Sequence, residues 1–193
     1  MKLIALYSSA PRSGKSTAAS YLTRRHSYVT LKFAFPLKKM LGALLEEILP
    51  LGYVGQVGDY LEGSRKEAPI MELGGHSARR LMQTLGTEWG RALDPQFWVN
   101  IMDARLRGRF SLDHVVIDDM RFPNEYAMLR ARGAYMVKIE DPLARKQTDH
   151  ASEGALDGHA FDATIQNTGS LDDLYDRVNE VEKAVHPHPL AKY

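Results

Sequence analysis

The chain has 193 residues, 44% of them hydrophobic and 25% charged, enough to bury a sizeable core in one domain. Its 25 lysines and arginines nearly balance 24 aspartates and glutamates, and a net charge of +1 is no electrostatic footprint for nucleic acid. With no cysteine it forms neither disulfides nor thiolate metal sites, and no apolar run approaches the roughly 20 residues of a spanning helix, so the expectation is a soluble protein of the reducing cytoplasm.

KLIALY (2–7) reads as a buried strand, followed by YSSAPRSGKST (7–17) and a helix from Lys15 to about His26. YVTLKFA (28–34) is predicted as a second strand, and Pro36 suits the first turn of a helix running to about Leu49. Residues 50–75, glycine-containing and of mixed polarity, predict an irregular excursion longer than ordinary connections. Two helices are expected at about 77–93 and 96–109, separated by Asp94-Pro95. In HVVID (114–118) the absence of alternation through Val115, Val116 and Ile117 predicts a strand buried on both faces. A helix over Phe122–Arg132 closes at Gly133, then come a strand (134–140), a polar loop (141–160) and a last strand (161–167). Ser170 with Asp173 three residues on is a capping-box start for the final helix. Strands alternating with helices imply an α/β fold with a parallel sheet, and 1–193 is expected as one domain with insertions at about 50–110 and 141–160.

Three stretches carry chemistry. Gly14-Lys15-Ser16-Thr17 ends like a phosphate-binding loop, strand before and helix after, although Ser9 stands where the GxxxxGK[ST] pattern has its first glycine. Such a loop needs inward N–H groups, a positive helix end, a lysine for the outer phosphates and a hydroxyl for magnesium, which Gly14, Lys15 and Ser16 or Thr17 supply with Arg12 nearby. An unliganded helix cap is the plainer alternative. In VVIDDMRFPNE (115–125), Asp118 and Asp119 end the buried strand where ligands gather in such sheets, and Arg121 can reach a phosphate. Alternatively the aspartates cap the next helix, and Arg121 and Glu125 form an exposed i,i+4 pair. In HSARRLMQTLGTEWGR (76–91), Arg79 and Gln83 share a helix face, a guanidinium suited to a phosphate and an amide suited to a base edge, with Arg91 a further cation. Trp89 is a stacking surface or, like Phe97 and Trp98, a core aromatic. His150, Ser152 and Glu153 come without a nucleophile elbow, and Asp149, His150 and Glu153 are weakly spaced as metal ligands.

PRSGKST, LKFAFPLKK, RLMQTLGTEWGR, FWV, VVIDDMRFPNE, TDHASE and IQNTGSLDDL, in that order over roughly residues 1–180, resemble the deoxynucleoside monophosphate kinase family of bacteriophages and related bacterial sequences. The resemblance implies an adenylate-kinase-like P-loop NTPase fold, three layers around a parallel sheet of about five strands. It further implies transfer of the ATP γ-phosphate to a deoxynucleoside 5′-monophosphate with Mg2+ as cofactor. On that resemblance Lys15, Arg121 and Arg145 would be catalytic, and Arg12, Ser13, Gly14, Lys15, Ser16, Thr17 and Asn167 would bind ATP. Lys32, Arg79, Gln83, Trp89, Arg91, Asp118, Asp119 and Arg121 would hold the acceptor, and Ser16 and Asp118 the magnesium, partly through water. Segment 141–160, with Arg145 and Lys146 its full cations, would take the place of a lid. The implied partners are ATP and a deoxynucleoside monophosphate, with neither nucleic acid nor membrane; a homodimer stays open, and the location is the cytoplasm, the host's if the chain is phage-encoded. Two other classes remain compatible: another small-molecule P-loop kinase such as a dephospho-coenzyme A kinase, and a nucleotide-binding switch or ATPase.

Overall fold

Short apolar runs spaced along the chain are drawn together as one parallel sheet. The structure is a computed structural model that describes residues 1–49, 56–108, 113–142 and 154–186. Its elements are β1 (Lys2–Tyr7), α1 (Lys15–His26), β2 (Val29–Leu31), α2 (Phe35–Ile48), α3 (Val57–Leu61), β3 (Pro69–Ile70), β4 (His76–Ser77), α4 (Ala78–Gln83), α5 (Arg91–Leu93), α6 (Phe97–Gly108), β5 (His114–Ile117), α7 (Pro123–Ala131), β6 (Tyr135–Glu140), β7 (Ala163–Gln166) and α8 (Leu171–Ala184). Two compact units result, one from residues 1–32 and 102–193, the other from residues 33–101.

The first unit holds a five-stranded sheet in the order β2-β5-β1-β6-β7, parallel throughout. On one face Ile4, Leu6, Val116, Val137 and Ile139 pack with Ala18 and Leu22 of α1 and Leu174, Val178 and Val181 of α8. Leu3, Ala5, Val115, Ile117 and Met136, which point the other way, are buried too, as are Met102 and Leu106 of α6 and Leu129 of α7. Both sheet faces are therefore covered, which is why HVVI shows no alternation. Each such aliphatic side chain contributes about 1.5–3 kcal/mol when taken from water.

The second strand is shorter than the sequence implies. Its pairing with β5 runs from Val29↔Val115 to Leu31↔Ile117, and β5 itself ends there, so nothing extends the ladder to residue 34. The start of α7 also differs from expectation. Glu125 is not half of an exposed pair; it is buried, and its carboxylate accepts the backbone N–H groups of Arg121 (2.7 Å) and Phe122 (3.2 Å). Those turn amides take the acid that an i,i+4 pair would have used. At α8 the capping box forms as predicted, with Ser170 Oγ accepting from Asp173 N at 3.2 Å and Asp173 Oδ2 accepting from Ser170 N at 2.7 Å.

In the second unit, α2 buries Leu41 and Leu45 against Val57, Tyr60, Ile70 and Ala78. The part of the excursion that is described has regular structure: α3, the β3/β4 hairpin, and a 3-10 turn at Met71–Leu73. The predicted helix 77–93 has a π-helical middle, Thr84–Gly90, between α4 and α5. A π turn widens the spiral and loosens its ladder, and here Trp98 Nε1 donates to the Gly86 carbonyl at 2.8 Å. Gly90 is needed for close approach, since a Cβ there would lie 2.5 Å from the Trp98 ring. Trp98 is thus a core residue, whereas Trp89 is 41% exposed and meets Phe97 edge-to-face at 5.3 Å.

Candidate nucleotide site

The chain turns at the carboxyl end of β1, the central strand, from which it departs to β2 on one side and later returns to β6 on the other; ligands of such sheets gather at that crevice. Tyr7 closes the strand, with its hydroxyl donating to Asp157 Oδ1 at 2.9 Å. Burial, joined by that carboxylate, pushes the phenol well above its ordinary range. Ser8 Oγ then accepts from Ala10 N at 3.2 Å, starting the loop.

Among the described residues, the non-glycines with positive φ are Arg12 (59°) and Ser27 (58°), and Gly14 lies at 100°. The left-handed turns of this loop therefore fall on Arg12 and Gly14. Ser9 sits where a side chain meets no such strain, so the backbone of the loop does not call for a glycine there. A Cβ on Gly14 would also come within 2.8 Å of Asn167 Nδ2, the same amide that donates to Ser13 O at 3.1 Å. Lys15 Nζ lies inside the curl, donating to Ala10 O and Ser13 Oγ, each at 3.2 Å.

α1 begins at Lys15 with no acid in its first turn, so its positive end is left for an anion. The cavity at that end measures about 610 Å³ and is lined by Arg12, Ser13, Gly14, Lys15, Ser16 and Thr17, with Asn167, Gly169, Ser170, Leu171 and Leu174 on its other wall. The structure thus brings all seven sequence-predicted ATP residues to one cavity. Gly169, Ser170 and Leu171, in the NTGSL turn (167–171) that the family resemblance would lay against the adenine, line the same cavity, and Leu174 is the residue the structure adds.

The acidic edge lies one strand away. Asp118 follows β5, its side chain only 3% exposed, with Oδ2 3.2 Å from Lys32 Nζ. Its other oxygen is buried without a hydrogen-bond partner among the described residues. An acceptor left in that state costs about 1–3 kcal/mol and asks for a ligand or water to satisfy it. An orphan carboxylate oxygen, together with the exposed Ser16 hydroxyl, suits a hard cation that takes oxygen ligands. Asp119 is half-buried, and its charge acts on Arg105 of α6, whose pKa burial lowers and Asp119 raises. Arg105 Nη1 donates to Lys32 O at 3.2 Å, a link not legible in the sequence. Arg121 is exposed.

In the second unit Arg79 and Gln83 both lie on α4, as predicted; Arg79 is ion-paired with Glu67, and Gln83 and Arg91 are half-buried. Arg145 and Lys146, with Asp149, His150, Ser152 and Glu153, lie outside the described residues.

A parallel sheet with a phosphate loop at the end of its central strand and a buried acid at the end of the next strand defines a P-loop nucleotide-binding protein. The family model for deoxynucleotide monophosphate kinase matches residues 69–178, more than half of the chain, and the chain belongs to that family. It is similar to the putative deoxynucleotide monophosphate kinase of Acanthamoeba polyphaga mimivirus, 28% identical over 182 residues that cover 86% of this chain and 89% of the relative. Deoxynucleotide monophosphate kinase of Enterobacteria phage T4 is 30% identical over 112 residues, covering 56% of this chain and 46% of its own. That of Escherichia phage RB69 is 31% identical over 108 residues, covering 54% and 44%. The match thus spans most of the mimiviral relative but under half of either phage one. Among solved structures, TT1252 from Thermus thermophilus matches 94% of this chain and 96% of its own at 20% identity and a TM-score of 0.46.

Proposed function

We propose that the chain is an ATP-dependent kinase that moves the γ-phosphate of ATP to a deoxynucleoside 5′-monophosphate, giving the diphosphate and ADP. The observation that carries this is the cavity at the head of α1, where a lysine, an arginine and a positive helix end converge without an acid on the loop. Phosphoryl transfer asks for little else, because its loose transition state spreads negative charge that the protein has to position and neutralise.

In this reading Lys15 leaves the Ala10 carbonyl for the β and γ phosphates, and Arg12, Ser13, Gly14 and Thr17 close the cradle. Asn167 keeps the loop in shape on the adenine side. Ser16 and Asp118 would hold Mg2+, partly through water; when bound, the ion neutralises charge on the phosphate oxygens. On the family resemblance, Lys32, Arg79, Gln83, Trp89, Arg91, Asp118, Asp119 and Arg121 would serve the acceptor. Arg79 would exchange Glu67 for the acceptor's phosphate. Arg121 and, outside the described residues, Arg145 are assigned to the charge of the moving phosphoryl.

The test is a coupled assay with ATP and magnesium across dAMP, dCMP, dGMP, dTMP, the ribonucleotides and dephospho-coenzyme A. Turnover of at least one deoxynucleoside monophosphate is expected. Exclusive phosphorylation of dephospho-coenzyme A, or DNA-stimulated ATP hydrolysis without a nucleotide product, would refute the proposal.

A further inference from the structure

We infer that Arg105 is a positioning residue for the acceptor side of this reaction, holding the Lys32–Asp118 pair in place at the carboxyl edge of the sheet. The inference rests on the kinase reading above and deepens it.

β2 is an edge strand, three residues long, and its last paired register is Leu31↔Ile117. Lys32 and Asp118 are the next residues on the two strands, beyond the ladder that aligns their neighbours. Lys32 Nζ nevertheless reaches Asp118 Oδ2 at 3.2 Å, a contact that a backbone held at residue 32 favours. Arg105 holds it from α6, with Nη1 donating to the Lys32 carbonyl at 3.2 Å. The same guanidinium lies in the field of Asp119, the residue after Asp118. A planar, permanently charged fork can brace a carbonyl and neutralise a neighbouring acid at once; an ammonium on a flexible stem cannot match both.

The bracing matters because of what Asp118 stands to lose. Its carboxylate is almost fully buried and one oxygen has no donor among the described residues, so the Lys32 ammonium is its principal described compensation. If residue 32 frays, the lysine drifts and a buried charge is left behind, a state that proteins avoid by reorienting the group. Such a reorientation would disturb the edge at which the acceptor is proposed to bind.

The neighbouring arginine shows that this is not a generic feature of the helix end. Arg107, also in the last turn of α6, pairs instead with Asp103, Nη2 to Oδ2 at 2.7 Å, and its side chain is 59% exposed. It serves as the control.

The experiment uses the full chain as wild type, Arg105→Met and Arg107→Met. Amide hydrogen exchange of segment 28–34 needs no turnover; about tenfold faster exchange is expected in Arg105→Met and none in Arg107→Met. In steady-state assays, Arg105→Met raises KM for the monophosphate about tenfold or more while KM for ATP stays within about twofold. Unchanged exchange, or equal effects on both substrates with a lowered unfolding temperature, overturns the inference and leaves Arg105 a structural residue. If the wild type phosphorylates no monophosphate, the kinase reading falls, and the exchange result alone decides whether Arg105 braces β2. Should Arg105→Met fail to fold, Arg105→Lys, which keeps the charge without the fork, is read by the same two measurements.

Discussion

Replacing Gly14 with alanine tests the geometry of the phosphate loop most directly. At φ 100° and ψ −2° the residue occupies a region that side chains rarely enter, costing about 1–3 kcal/mol. The new methyl would also lie 2.8 Å from Asn167 Nδ2, forcing that amide off the Ser13 carbonyl. Loss of this hydrogen bond costs about 0.5–1.5 kcal/mol more. The sum, about 1.5–4.5 kcal/mol, is a large share of the roughly 5–15 kcal/mol that holds a typical domain folded. Asn167→Ala alone should cost only the hydrogen-bond part, and Gly14→Ala introduced on that background only the backbone part. Urea unfolding of the two single variants and the double variant therefore yields a coupling energy of about 0.5–1.5 kcal/mol. ATP affinity, measured by calorimetry, should fall in Gly14→Ala by at least tenfold, because the N–H groups of the loop no longer converge. A Gly14→Ala protein with wild-type stability and ATP affinity, or a coupling energy of zero, would refute this account of the loop.

Other predictions follow from single contacts. Lys15→Ala should reduce kcat by about 10²–10³-fold, the loss seen when one preorganised donor to developing charge is removed. Its circular dichroism and unfolding temperature should stay near wild type, since the ammonium donates to Ala10 O and Ser13 Oγ, both in the loop; full turnover in a folded variant would contradict the assignment. Gly90→Ala gains about 0.5–1 kcal/mol of helix propensity but loses about 1–3 kcal/mol to overpacking against Trp98, so fluorescence-monitored denaturation should show net destabilisation. A more stable variant would mean the ring moves freely. Glu182 supplies a pH dependence. Burial pushes its carboxyl up, but the hydrogen bond and charge of Lys2, at 2.5 Å, with His26 and His114, outweigh this and hold it below its ordinary value. A depressed carboxylate contributes stability above its unfolded pKa of about 4.3 and loses it as pH falls through the folded value. Stability should therefore drop on acidification below about pH 4.3, and less steeply in Lys2→Met; identical slopes would remove Glu182 from the balance.

Much of the fold is legible in the residues because local rules decide it. HVVI reads as a two-face-buried strand, and Ser170 with Asp173 as a helix start, from chemistry contained within four residues. The phosphate loop is legible for the same reason: its lysine, hydroxyls and glycine act where they stand in the chain. Element ends are less so, because β2 stops where its partner β5 stops, more than 80 residues further along the chain. Nor does spacing announce the π turn at Thr84–Gly90, which goes with a tryptophan that must lie against Gly90 and reach the Gly86 carbonyl.

By itself the sequence determined the family and, outside the excursion at 50–75, the order of strands and helices, and it proposed which residues would meet a nucleotide's phosphates, since each depends on short-range pattern. Only the tertiary structure decided how those groups are employed. It made Glu125 a buried cap instead of an exposed partner, because the turn after β5 presents two amides to it. It placed the positive φ angles of the loop at Arg12 and Gly14 and not at Ser9. It also set Arg105 on the backbone of Lys32, a contact across 73 positions that no local spacing encodes.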